Sequence, residues 1–174
     1  MWIGSFKVSV TWTAVPGVTA YVVQRSTDAK TFADVAANPD AGVAAGKTYF
    51  YRVLTVNGDV RSNASNIDIA TTIAFNDDPL SAGRTRISVT HVTQMRTAID
   101  AVRAAAGLQA ASWTQPAAFS AAQIVEMRNR LNEALDVLTA LDGSLARPLY
   151  ADSVLASRMS ILAVHLQQLR DRVK

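Results

Sequence analysis

The chain has 174 residues, 49% of them apolar and 18% charged, which excludes a disordered tail or a coiled coil and suits one large domain or two small ones. Cysteine is absent, so disulfide frameworks, thiol catalysis and cysteine-held zinc or iron–sulfur centres are excluded. The net charge of +3 is spread evenly, with six positive and five negative residues over 1–74 and eleven and nine over 75–174, so neither part is composed as a polyanion-binding surface.

The first part of the chain has an apolar period of two. Val8, Val10 and Trp12 alternate with Ser9 and Thr11 until Pro16-Gly17 stops the run. Ala20 to Ser26 reads as a strand, Thr31 to Ala36 as a weaker one, and Lys47 to Val56 as the best. In the last, Tyr49, Tyr51 and Val53 share one face, and Asn57-Gly58 supplies a strong turn. A further strand falls within Ala64 to Thr72. Short strands at this spacing predict an antiparallel sandwich.

Val10-Thr11-Trp12, then Pro16 to Arg25, then Gly46-Lys47-Thr48-Tyr49-Phe50-Tyr51-Arg52-Val53 through Asn57-Gly58 resemble a fibronectin type III domain over about residues 5–72. The resemblance implies that Trp12 is the core Trp of the second strand. It also implies that the Tyr49 hydroxyl bonds back to an upstream backbone group. Between Phe32 and Gly46 the chain is shorter than the family's usual length, so the fifth strand is abbreviated or missing. That leaves Val35 to Ala45 as an exposed sheet edge with unsatisfied amides. The family's Arg-Gly-Asp loop is absent.

Beyond a linker at 73–80 the period becomes helical. Val92, Met95, Ile99, Val102 and Ala106 follow at steps of 3, 4, 3 and 4, and Gly107-Leu108 ends the stripe. Ile124, Met127, Leu131, Leu135, Leu138 and Leu141 draw a second stripe, and Leu166, Leu169 and Val173 a third. These stretches are an internal repeat, with Arg86–Arg96 matching Ala118–Arg128 and Ser160–Arg170. Ser120 with Gln123 forms a capping box and Phe119 with Ile124 a staple; Ile87, Ser88 and Val92 repeat the pattern, while the third copy needs a cap such as Ser160. The repeat is similar to units at the C-terminal ends of large secreted bacterial surface proteins. The expected fold is therefore two-domain, β then α: a fibronectin-type-III-like β-sandwich over 1–72, the linker, and an all-α domain of three loop–helix repeats over 81–174.

Several constellations suggest chemistry and are weaker than they look. Counted from Asp78 as a calcium loop, the third, fifth and twelfth positions are Leu80, Ala82 and Val89, where oxygen ligands are needed. His91 and His165 share one repeat position and could pair across helices as metal ligands. Gln123 fills that place in the second copy, which favours capping of each helix's own first turn. Glu126 and Glu133 lie two turns apart, ~10 Å, with Arg130 between them, an ordinary surface ladder more than a glycosidase pair. Arg84, Arg86, Arg96 and Arg103 are offset by Asp77, Asp78 and Asp100 and have no interleaved aromatics, so no nucleic-acid partner is expected. The repeat-aligned Arg96, Arg128 and Arg170 suit packing along the helices.

Trp2, Phe75, Trp113 and Tyr150 lie outside the stripes. Trp113 and Tyr150 share a repeat position and are the candidate stacking residues for sugar rings, against a packing role between helices.

No catalytic residue, metal ligand or cofactor site emerges, and the expected function is a non-catalytic extracellular interaction or assembly module of a bacterial secreted or surface protein. A protein partner or self-association is expected. The alternative is a carbohydrate-binding accessory module of a secreted glycan-degrading enzyme, with a polysaccharide as ligand. No stretch approaches the ~18 apolar residues of a membrane span. Met1–Ser5 lacks the basic start and apolar core of a signal peptide, so export is expected to use a signal not present in this chain.

Overall fold

The computed structural model describes residues 6–81, 84–115, 120–146, 150, 152, 155 and 163–174. Five strands, β1 (Ala20–Ser26), β2 (Ala33–Asp34), β3 (Thr48–Asn57), β4 (Val60–Arg61) and β5 (Asp68–Thr71), form one antiparallel sheet. Its order is β2-β1-β3-β4, with β5 beside β4 on the same edge of β3. Three helices follow, α1 (Val89–Ala105), α2 (Ala121–Leu141) and α3 (Ala163–Arg170), with a 3₁₀ turn at Gly143–Leu145. Among the described residues no helix is long and apolar enough to cross a membrane.

β3 is the centre of the sheet because it is apolar on both faces. Phe50 and Leu54 look one way, and Tyr49, Tyr51 and Val53 the other. Its one charged member, Arg52, lays its guanidinium 4.0 Å over the Phe32 ring and donates from Nε to Gln24. Gly58, at φ +59°, takes the left-handed backbone that the tight turn into β4 requires.

The sandwich expected from the sequence is not what forms. The sheet curls into an antiparallel half-barrel. Its second layer is a single bridge, Val8 with Asp40, in place of the strand expected at Val8 to Trp12. Trp12 is 39% exposed and no core residue; its ring lies against Tyr21 with centroids 5.3 Å apart. The physical reason lies in the short stretch after β2, which spends its backbone on turns. Asp40 binds the Gly42 amide, and the Tyr49 hydroxyl accepts from the Ala44 amide. The upstream bond expected of Tyr49 is therefore present.

The separate all-α domain of three repeats is corrected as well. Among the described residues the helical part is three helices. Their core is continuous with the sheet: Phe50 and Ile67 are buried in the same cluster as Met95, Ile99, Leu131 and Leu166. Removing a side chain of that size from water is worth ~1.5–3 kcal/mol, so this shared cluster dominates the apolar stabilisation. Ile73 and Phe75 of the expected linker pack on it, and Leu80 is buried within it.

Helix ends follow local chemistry. Ser88 and His91 make a reciprocal capping box at α1, and Gln123 Oε1 accepts from both the amide and the hydroxyl of Ser120 at α2. At the end of α1, Leu108 donates to the Arg103 carbonyl and Gly107, at φ +76°, to that of Ala104, closing a Schellman motif. The Phe119 staple, the cap at Ser160, Ala82 of the calcium-loop count, and Trp2 lie outside the described residues.

Candidate functional site

Both histidines are buried and fully engaged. His91 Nδ1 accepts the Ser88 amide at 3.2 Å, so its other nitrogen carries the proton and meets Asp77 at 3.1 Å. His165 Nε2 meets Asp152 at 3.0 Å. The two rings thus serve separate carboxylates, and among the described residues no group of three or more such side chains gathers as a metal site.

The repeat-aligned arginines explain Trp113 and Tyr150. Arg96 of α1 lies 5.1 Å over the Trp113 ring and donates to the Thr114 carbonyl. Arg128 of α2 lies 4.1 Å over Tyr150 and donates to the Asp152 carbonyl. Arg170 of α3 lies 4.7 Å over Phe75 and donates to the Asp77 carbonyl. Each helix therefore grips the segment leading into the next, and the third closes on the segment before the first. Arg172 adds a second guanidinium 3.4 Å from the Tyr150 centroid, and the Trp113 indole donates to Asp100 at 2.9 Å. Both rings are half-buried against the shared core. Cation–π contact with a desolvated arginine is worth up to ~2 kcal/mol.

The glutamates are also occupied. Glu126 accepts from the amide and hydroxyl of Thr114, and Glu133 bridges Arg103 at 2.6 Å and Arg130 at 3.0 Å. Arg103 first, then Arg130, hold the Glu133 carboxyl below its ordinary range against a small cost of burial.

The edge expected at Val35 to Ala45 is partly closed. Val35 donates to the Val23 carbonyl, Asp40 to that of Val8, and the Gly42 and Ala44 amides are bonded as described. Asp40 sits at the centre, buried, where it accepts from Arg25 at 2.7 Å and from the Tyr51 hydroxyl at 2.9 Å. Burial raises its affinity for a proton, but the Gly42 amide, Tyr51 and Arg25 together outweigh that and hold the carboxyl below its usual range. The outer side of β5 is partly closed: Ser144 Oγ serves the backbone of Ile67, Asp68 accepts the Ile69 amide, and Ile73 donates to the Thr71 carbonyl.

An opening remains where residues 8–13 face β5. Val8 and Val10 spend their backbone groups on Asp40 and on the Asn38 side chain, at 2.7–3.0 Å. By strand alternation, Ser9 and Thr11 turn theirs the other way. Among the described residues Ser9, Thr11 and Thr13 make no hydrogen bond. They form one wall of a cleft of about 570 Å³ that also includes Trp12. Tyr51, Val53 and Ala70 make its floor, and Ser65, Asn66 and Asp68 its far wall. The reading of Trp12 as a core residue hides this cleft; the alternation of Ser9, Thr11 and Thr13 with it was the available signal.

Comparison with protein-family models, with curated proteins and with solved structures finds no match to this chain.

Proposed function

We propose that the protein is a non-catalytic interaction module of a bacterial secreted or surface protein, and that the cleft between residues 8–13 and β5 is its interaction surface. The observation that carries this reading is the cleft itself, an open backbone edge and an exposed indole over an apolar floor. An extracellular setting is supported by the resemblance of the front of the chain to fibronectin type III domains and of the helical repeat to units of bacterial surface proteins. The engagement of both histidines and both glutamates in capping and ion pairing supports a non-catalytic role.

The absence of cysteine makes a direct test simple. Thr11→Cys, exposed and unbonded, can be alkylated with a maleimide carrying a bulky polymer. Self-association by sedimentation and retention on insoluble polysaccharides are then compared with and without the label. The expected result is that one of the two occurs and disappears on labelling. Neither occurring, or either persisting after labelling, would overturn the proposal.

A further inference from the structure

We infer that the cleft binds a neutral oligosaccharide chain, with Trp12 stacking under one sugar ring. This rests on reading the cleft as the interaction surface and goes further by naming the ligand. Trp12 is 39% exposed and lines the cleft, and its ring packs on Tyr21 at an interplanar angle of 45°. An indole held that way matches the apolar C–H face of a pyranose. The groups around it suit hydroxyls. Ser9 and Thr11 offer backbone and side-chain partners, the Asn66 amide is unbonded, and Asp68 uses one oxygen on Ile69 and leaves the other open. An amide and a carboxylate oxygen can each serve adjacent sugar hydroxyls.

Charge decides for a neutral glycan. The open acidic group is Asp68, which repels uronates and sulfates. Lys174 at the end of the cleft already binds Asp78 at 2.7 Å, and the Arg52 side chain leaves for the opposite face of the sheet. Size agrees: about 570 Å³ lies within the ~300–1,000 Å³ of ligand sites. An extended peptide fits less well. It would pair with Ser9 and Thr11 on one side, but on the other the Ile69 amide and Thr71 carbonyl are already taken.

The test is titration calorimetry with soluble hexasaccharides of the cellulose, xylan, chitin, mannan and laminarin series, and with polygalacturonate. One neutral series should bind saturably and polygalacturonate should not. Trp12→Ala should weaken that binding by about tenfold or more, and Asn66→Ala more modestly, each with an unchanged circular dichroism spectrum. Trp113→Phe, outside the cleft, should leave it intact. The inference is overturned if no neutral series binds, if Trp12→Ala binds as well as the parent, or if polygalacturonate binds equally. Self-association that the Thr11 label abolishes, without glycan binding, would overturn the glycan and leave the interaction surface standing. Glycan binding that neither Trp12→Ala nor the label affects would remove both.

Discussion

The two faces of the sheet are sealed by different forces. On the helix side, Phe50 and Ile67 join Met95, Ile99, Met127, Leu131 and Leu166 in one cluster, most of it fully buried. On the other side Val23, Tyr49, Tyr51 and Val53 form a small cluster covered by Val8 and Val10. That cover is fastened by polar contacts: Asn38 to Val10, Asp40 to Val8, and Arg25 and Tyr51 to Asp40. An apolar seal is non-directional and fills every gap it can. A polar fastening acts at fixed points, so it can hold a covering segment in place and leave a cleft beside it.

The largest expected effect belongs to the apolar side. Met127 of α2 is fully buried, and Met127→Asp places an unpaired carboxylate there. The cost should be about 3 kcal/mol or more. Thermal melting should show the variant largely unfolded or strongly destabilised. A melting temperature near the parent's would mean that the helix side does not carry the fold.

Next comes the arginine grip between helices. Arg170 is fully buried over Phe75 and donates to the Asp77 carbonyl, with Asp78 at 3.9 Å. Arg170→Ala removes a charge, a ring contact and a long packed stem together, and should cost about 2–4 kcal/mol. Arg170→Lys should recover only part of it, because an ammonium lacks the flat face that lies on Phe75. Full recovery in denaturant unfolding would show that charge alone matters there.

These arginines show what the sequence made legible. Their shared position after a core Met or Leu was readable from the repeat, and so were the caps of α1 and α2, because caps and stripes are local. The seven residues Val92, Met95, Ile99, Leu131, Leu135, Leu138 and Leu169, all on the expected stripes, lie in one cluster. The aromatic partner of each arginine was not readable, since it comes from the segment leading into a different helix. Trp12 shows the opposite failure. A strand pattern gives the side a residue points to but not whether a second layer exists to bury it. Here the turn-rich stretch at 35–45 supplies no such layer, and Asp40, which fastens the cover, had no signal beyond an ordinary loop aspartate.

Acid should loosen the fold through its depressed carboxylates, among which Asp40 fastens the polar face. Asp28, Asp34 and Asp40 are all held below the ordinary carboxylate range: Asp28 at about 2 by the Thr31 and Lys30 amides and then Ser26, Asp34 by Arg61 and then Gln24, and Asp40 against its burial by Gly42, Tyr51 and Arg25. A depressed folded value means that the unfolded chain binds the proton more tightly. Their contribution is thus complete above the unfolded value of ~3.9 and is lost as pH falls through the folded one. Melting temperature should hold from neutral pH to about 5 and fall from about 4 toward 2. Asp40→Asn should be less stable at neutral pH and show a shallower acid loss. An equally steep loss in that variant would show that Asp28, Asp34 and Glu133, not Asp40, carry the acid sensitivity.

The smallest expected effect is the one the cleft depends on. Trp12 is a large ring, and a core tryptophan replaced by alanine costs ~3–5 kcal/mol. Here it is 39% exposed, stands at the cleft wall, and meets Tyr21 at a tilt. Tyr21 keeps its own anchor without it, because its hydroxyl accepts the Val15 amide at 2.7 Å. Trp12→Ala should therefore cost about 1 kcal/mol or less in denaturant unfolding, with no change in the slope against denaturant. A cost near that of Arg170→Ala would make Trp12 part of the seal and the two faces alike. A small cost keeps Trp12 out of the seal and leaves its indole available to the proposed cleft.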